Sequence, residues 1–380
     1  KLLKKKLHIL FLCGWYPSRV LPNNGDFIQR HAEAVSLRHE VTVIHIITDK
    51  NCIENIEINF QVIAGIKTYI AYIKHTENPV LKFLRFYKAY QETLKRIPLI
   101  NFVHLNSIFP MGIFALLLKW KNKISYIISE HWSGYHFPRN KSIGLIETII
   151  TKIIVKNANY VCPVTKNLQG AMINFGLDGN YFPVPNVVDT SYFNLSKDSD
   201  SSKFIITHIS GMGDDCKNIT GILNVIEKLQ NKIPSIVFNL IGEDSKKYIP
   251  QIESLNIKNI NIIDQIPHLE VAEYLKKSKV FVLFSNYENL PCVILESFAC
   301  GLPVVSTNVG GISEYFPQDF GTLINPRDEI SLEKSILKIY NSETKLNKVK
   351  MHLYAKENFS KESISTTFSN LYNKSLKQLP

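Results

Sequence analysis

Short runs of consecutive apolar residues, rich in Ile, Val and Phe, alternate along the chain with longer segments of helical apolar spacing. A run of four to seven apolar residues bounded by turn residues reads as a strand buried on both faces of a parallel sheet. On this pattern residues 8–13, 41–47, 101–105, 124–129 and 160–164 are predicted strands. Residues 27–37, 81–97, 111–120 and 144–156 are the predicted helices between them. The alternation stops at 195–203 (LSKDSDSSK), where six of nine residues are Ser or Asp and no apolar period survives. It then resumes, with strands predicted at 204–209, 235–241, 260–263, 280–284 and 303–306. Helices follow at 219–230, 269–276, 292–300, 331–341 and 362–377.

Strand–helix alternation predicts an α/β architecture of two doubly wound domains. Their expected bounds are 1–194, a linker at 195–203, 204–355, and a carboxy-terminal helical segment 356–380 that returns to the first domain. In such sheets ligands bind beyond the carboxyl ends of the strands, so two facing sheets would line a cleft. The 380 residues agree with two domains, and an apolar fraction of 45% with 20% charged residues excludes a disordered chain. The net charge is +11. The six cysteines form no C-x-x-C pair and lie mostly in apolar runs, which predicts free thiols in a reducing, cytoplasmic setting. The apolar run at 7–13 follows Lys1 and Lys4–Lys6 but is broken by Gly14 and Pro17, too early for a signal peptide. No transmembrane helix is expected.

Chemistry concentrates in 285–315, SNYENLPCVILESFACGLPVVSTNVGGISEY. Glu288 leaves a strand end and Glu296 lies eight positions on, inside the next helix. Pro291 suits the first helical position because its missing N–H costs nothing there, and Asn289 is a candidate cap. The backbone N–H groups of Leu290, Cys292 and Val293 would then face the positive end of the helix dipole, a place for phosphate. Val309-Gly310-Gly311 supplies a second loop that permits close backbone approach.

This string resembles the signature of the GT-B retaining glycosyltransferases, specifically glycosyltransferase family 4, with its E-x7-E pattern and Asn-Leu-Pro after the first Glu. The resemblance implies the GT-B fold, two facing Rossmann-like domains with an interdomain cleft. The first domain would be the acceptor side and the second would hold the nucleotide sugar. It implies that Glu288 lies by the donor sugar, that Glu296 holds the ribose hydroxyls, and that the amides from Leu290 through Pro291 and Cys292 to Val293 take the diphosphate. After the first strand of the second domain, HISGMGDDCKN matches the family segment in which an Arg and a Lys grip the phosphates. Lys217 fits. The Arg position falls near Met212 and carries no cation, with Lys246 or Lys247 as candidate substitutes. Asp214-Asp215 reads as loop rather than as a metal-binding pair, and no metal or other cofactor is expected.

The first domain matches as well. In WYPSRVLPNNGDFIQRHAEAV, Gly25 opens the first helix and would approach the donor, while Arg30 and His31 would line the cleft or face solvent. His131, ending a strand in ISEHW, matches a family His beside the donor sugar; His104 and Asn106 are weaker candidates. Pro185-Asn186-Val187-Val188-Asp189 resembles a boundary landmark, and Asn186 is assigned to the acceptor side or the hinge.

The implied activity is a retaining, hexosyltransferase-type transfer from a nucleotide-diphosphate sugar to a glycan or lipid-linked saccharide, in bacterial surface polysaccharide or glycoconjugate assembly. The same fold also serves nucleotide-sugar epimerases and phosphorylases, and a non-catalytic nucleotide-sugar-binding protein would fit the lost Arg. From Leu81 to Ile97 the sequence LKFLRFYKAYQETLKRI interleaves basic and aromatic residues, as would a helix lying on the anionic inner face of a plasma membrane. The alternative is a helix with its aromatics in the core. No nucleic-acid-binding motif accompanies the charge.

Overall fold

The computed structural model describes residues 6–196 and 202–377, and they divide into two compact units. The first unit comprises residues 1–187 and 361–380, the second 188–360. The division therefore lies at 187/188 and 360/361, not at the polar segment 195–203, of which 197–201 lie outside the described residues. Residues 188–196 belong to the second unit, as do 356–360.

In the first unit the strands are β1 (His8–Cys13), β2 (Glu40–Asp49), β3 (Ile56–Ile63), β4 (Ile66–Lys74), β5 (Phe102–Asn106), β6 (Tyr126–Glu130) and β7 (Tyr160–Pro163). They order as β3-β4-β2-β1-β5-β6-β7, and only β3 runs antiparallel. The β3–β4 hairpin turns at Ala64 and Gly65, both at positive φ, the backbone a two-residue hairpin loop demands. It was not predicted from the sequence. Setting β3 aside, the order is that of a Rossmann sheet. The helices are α1 (Asp26–Ser36), α2 (Pro79–Leu94), α3 (Gly112–Asn122), α4 (Leu145–Asn157) and α5 (Lys166–Asn174), with α13 (Lys361–Lys377) returning from the end of the chain.

Helix α13 completes the core of this unit. Phe368 and Tyr372 are fully buried beside Phe102 and His104. The Tyr372 hydroxyl shares a 2.7 Å hydrogen bond with His104 Nδ1, and His39 Nε2 lies 3.0 Å from Ser369 Oγ. Lys361 pairs with Glu33 of α1 at 2.8 Å.

The second unit carries β8 (Phe204–Ile209), β9 (Ile236–Ile241), β10 (Ile260–Ile263), β11 (Val280–Leu283), β12 (Val304–Thr307) and β13 (Gly321–Ile324). All are parallel, in the order β10-β9-β8-β11-β12-β13. This too is the Rossmann order, with the direction of winding reversing between β8 and β11. Its helices are α6 (Asp214–Lys217), α7 (Ile219–Gln230), α8 (Ile249–Ser254), α9 (His268–Lys277), α10 (Cys292–Ala299), α11 (Glu329–Tyr340) and α12 (Lys348–Phe359). Helix α7 buries Ile219, Ile222, Leu223, Val225, Ile226 and Leu229, an i, i+3, i+4, i+7 stripe laid on the sheet. Among the described residues no helix is long and apolar enough to cross a membrane.

Candidate active site

The reversal between β8 and β11 opens a crevice at the carboxyl ends of two adjacent strands, and the loops leaving both strands meet there. After β8, residues 210–213 lead into the single turn α6. Asn218, at positive φ, ends that turn and caps α7 by accepting from the Gly221 N–H at 3.3 Å. After β11, residues 285–291 lead into α10. The two loops are bonded together: the Asn286 N–H donates to the Cys216 carbonyl at 2.7 Å, and Asn286 Nδ2 donates to the Asp215 carbonyl at 2.9 Å.

This clamp places Lys217 against Glu288. Lys217 Nζ donates to Glu288 Oε1 at 2.5 Å, and Ser285 Oγ donates to the same oxygen at 2.7 Å. Ser285 is in turn fixed by the Thr307 hydroxyl on its carbonyl, at 2.7 Å. Both charged groups are largely withdrawn from water. His208 steadies the β8 side, with Nδ1 bonded to the Val282 carbonyl at 2.8 Å and Nε2 to Ser210 Oγ at 2.6 Å. Burial lowers His208 to about 4, with Lys217 pushing the same way, so its ring is neutral.

The glycine loop 309–311 packs on the same turn. The Gly311 N–H donates to the Asn289 carbonyl at 3.0 Å. Gly310 has φ +59, and a Cβ there would come within 1.9 Å of the Glu288 carbonyl oxygen. Helix α10 starts at Cys292, where its apolar spacing predicts, and Pro291 is its N-cap rather than its first helical residue. Leu290 is buried, while Pro291, Cys292 and Val293 are partly exposed. The first turn of α10 presents the positive end of the helix dipole at these residues.

Glu296 is buried, and its Oε1 meets His268 Nε2 at 2.7 Å. His268 was not singled out from the sequence; it sits 28 residues before its partner, on α9. Met212 is buried, its carbonyl accepting from the Tyr248 hydroxyl at 3.0 Å, so no cation stands where the family segment has Arg. Lys246 and Lys247 are exposed, the latter 5.4 Å above the Tyr248 ring. A cation that sequence reading missed, Arg327, donates from Nε to Asn286 Oδ1 at 3.3 Å and so reaches the Lys217–Glu288 loops. Asp214 and Asp215 open the α6 turn rather than a loop. Asp214 Oδ1 accepts from the Thr220 N–H at 2.8 Å. Among the described residues no three His, Cys, Asp or Glu side chains converge in the manner of a metal site.

In the first unit Gly25, at φ +78, is the N-cap of α1 and lies so close to the Trp15–Tyr16 backbone that a Cβ would collide at 2.6 Å. Arg30 neither lines an open surface nor faces solvent: it is buried and pairs with Asp26 at 3.0 Å, one helical turn back. His31 is fully buried, with Nε2 bonded to the Pro185 carbonyl at 3.2 Å, and burial lowers it to about 4. His131 packs 4.6 Å from Phe27 and 5.2 Å from His31, ring to ring. Desolvation holds it well below its ordinary value, partly offset by a hydrogen bond with the Asn186 side chain. Asn186 is buried close to His131. His104 is taken up by Tyr372 and Ser129 as a core residue.

Glu130 precedes His131 and carries a role the sequence did not reveal. Its Oε1 accepts from the N–H groups of His131 and Trp132, both at 2.9 Å, and Oε2 accepts from the Ile108 N–H at 3.0 Å. One buried carboxylate therefore ties the loops after β5 and β6, although desolvation pushes it up to about 7.

Comparison with known proteins divides the chain between residues 192 and 195, close to the polar segment. The family described as Glycosyltransferase Family 4 matches residues 28–192, and Glycosyl transferases group 1 matches 195–357. The chain belongs to the family 4 glycosyltransferases. This glycosyltransferase is 24% identical over 357 residues to a putative teichuronic acid biosynthesis glycosyltransferase, TuaC, of Bacillus subtilis, covering 87% of this chain and 88% of that one. It is 25% identical over 292 residues to a Campylobacter jejuni N-acetylgalactosaminyltransferase acting on a diphospho-undecaprenol-linked saccharide, covering 72% and 77% respectively. Among solved structures, sucrose-phosphate synthase of Thermosynechococcus elongatus superimposes with TM-score 0.78 at 17% identity, over 98% of this chain and all of that one. Anabaena HepE in complex with UDP-glucose gives TM-score 0.72 at 16% identity, over 98% and 100%. The glycosyltransferase thus has the GT-B fold.

Proposed function

We propose that this glycosyltransferase takes its sugar from a nucleotide-diphosphate donor held at the β8/β11 crevice and transfers it with retention of configuration. The observation that carries this reading is the Lys217–Glu288 pair at that crevice, beside the start of α10. An ammonium has three donors, so Lys217 can keep Glu288 while offering its remaining N–H bonds to a phosphate. The bond between the anomeric carbon and the diphosphate oxygen breaks, and its electrons leave on the diphosphate. Lys217, the amides of Leu290, Cys292 and Val293, and Arg327 in place of the missing arginine stabilise that charge. Glu288 lies by the sugar and Glu296, with His268, holds the ribose hydroxyls. The acceptor hydroxyl bonds to the anomeric carbon on the same face and passes its proton to the departing phosphate oxygen. In this reading His131, kept neutral by burial, contacts the donor sugar, and Gly25 leaves room for it.

The acceptor we propose is a glycan or lipid-linked saccharide of a surface polysaccharide or glycoconjugate. The relatives' names support that class. HepE's complex makes UDP-glucose the first donor to try. A thermal-shift screen of nucleotides and nucleotide sugars, followed by NMR of the product's anomeric proton, tests the reading. An axial donor giving an axial product supports it; inversion, or no stabilisation by any nucleotide, overturns it.

A further inference from the structure

The net charge of +11 is concentrated in one stretch. Residues 79–157 hold twelve Lys or Arg against three Glu, a net +9, and the rest of the chain is nearly neutral. This stretch contains α2, α3 and α4. Each connects parallel strands in the same direction across the sheet (β4 to β5, β5 to β6, β6 to β7), so right-handed crossovers put all three helices on one face. Contacts agree: Tyr90 and Phe86 of α2 stack on Phe114 of α3 at 3.9 and 5.7 Å, and Lys119 of α3 donates to the Asn157 carbonyl at the end of α4.

That layer is apolar on its outer side. The apolar side chains of α2 divide: Phe86, Tyr87 and Tyr90 face α3, while Val80, Phe83 and Leu84 in the first half of the helix are exposed. Arg85 is not part of the outer face, since its guanidinium donates to the Lys74 carbonyl at 2.8 Å. Helix α4 repeats the arrangement. Leu145 and Ile146 are 76% and 75% exposed, and Ile149 and Ile153 continue the stripe at helical spacing. Lys152 and Lys156 lie exposed on the same side. Just before α4, Phe137 is 73% exposed with Lys141 Nζ 4.7 Å above its ring. Helices that follow parallel strands begin at the strands' carboxyl ends, so the exposed first turns of α2 and α4 share one edge. A cavity of about 990 Å³ opens at that edge, lined among others by Lys82 and the exposed Ile53.

We propose that this face docks on a bilayer surface rich in anionic lipid, with the apolar side chains entering the headgroup boundary and the lysines meeting phosphate. A water-facing stripe of Leu and Ile is unfavourable in solution, and its fringe of lysines matches an anionic surface rather than a neutral one. The inference rests on the first unit alone and is independent of the donor chemistry proposed above.

The test is sedimentation of the full chain with vesicles of phosphatidylglycerol and phosphatidylcholine in equal parts, against phosphatidylcholine alone. Binding to the anionic vesicles is expected, weakening with salt and falling about five-fold for each lysine neutralised. The pairs Leu145→Gln/Ile149→Gln and Lys152→Glu/Lys156→Glu, both on the surface and checked by thermal melting, are each expected to lose tenfold or more. No preference for anionic vesicles, or undiminished binding in both variants, overturns the proposal. So does a dimer in light scattering that Leu145→Gln/Ile149→Gln dissociates, which would assign the face to a second copy of the chain.

Discussion

Lys217 Nζ bonds Glu288 Oε1 at 2.5 Å, joining the loops that leave β8 and β11, 71 residues apart in sequence. Neither group gains stability for the fold cheaply, because both lose water and their mutual attraction only offsets that cost. The surrounding bonds from Ser285 and Asn286 hold the pair at the one place in the second sheet where adjacent loops diverge. A site that binds a diphosphate needs such a prearranged cation, since a charge fixed before binding costs no reorganisation during reaction.

Gly310 is expected to be irreplaceable. Gly310→Ala adds a Cβ at 1.9 Å from the Glu288 carbonyl, at a positive φ, and should cost about 2 kcal/mol or more together with donor turnover. Gly211→Ala, whose Cβ meets nothing within 4 Å, should change stability by about 0.5 kcal/mol or less. Urea unfolding of the two variants checks the contrast.

Tyr372→Phe should weaken the first unit. It removes the hydroxyl bonded to His104 Nδ1 in a fully buried setting, an effect of about 1–3 kcal/mol. The nucleotide-induced thermal shift, which belongs to the second unit in this account, should keep its size. A shift lost along with stability would place α13 in donor binding.

Acid should destabilise the protein through its buried histidines. Burial lowers His31, His45 and His208 from 6.5 to about 4, so the folded state holds them neutral while the unfolded chain takes up protons. Their stabilising contribution is complete above about 6.5 and is lost as pH falls toward 4, roughly 3 kcal/mol for each. Glu130 works oppositely: raised to about 7, it makes the fold less stable as pH rises from about 4.5 to 7. His31→Phe, which keeps a ring against Phe368, should flatten the acid limb of a melting-temperature profile between pH 6.5 and 4. An unchanged limb would show that His31 does not titrate there.

Arg327→Ala should lower donor turnover by about tenfold with little effect on melting temperature, because its side chain is exposed and bonds only at Asn286 among the described contacts. Steady-state rates with the donor found by the nucleotide screen check it. Unchanged rates would leave Lys217 as the sole side-chain cation for the diphosphate.

The β–α alternation and the Glu288–Glu296 string were readable because strand, turn and helix there are consecutive in sequence. Lys217 was readable for the same reason. Glu130 was not, since its partners Ile108 and Trp132 come together only when β5 and β6 pair. His268 reaches Glu296, and Arg327 reaches Asn286, only through packing of separate elements. The β3–β4 hairpin did leave a trace: IEINFQVI alternates apolar and polar residues before Ala64-Gly65, but the parallel-strand pattern sought for elsewhere is a continuous apolar run. Arg30 turns inward with Asp26, its i,i+4 partner, a spacing that is legible in the sequence. The apolar outer face of α4 is not legible in the sequence, because its Leu and Ile residues read as core until exposure is known.

The most direct measurement is donor turnover by Lys217→Ala and Glu288→Gln, each with unchanged circular dichroism. Both are expected to fall at least about 100-fold below the unsubstituted chain. Near-normal rates in both would contradict the assignment of the β8/β11 crevice as the site of glycosyl transfer.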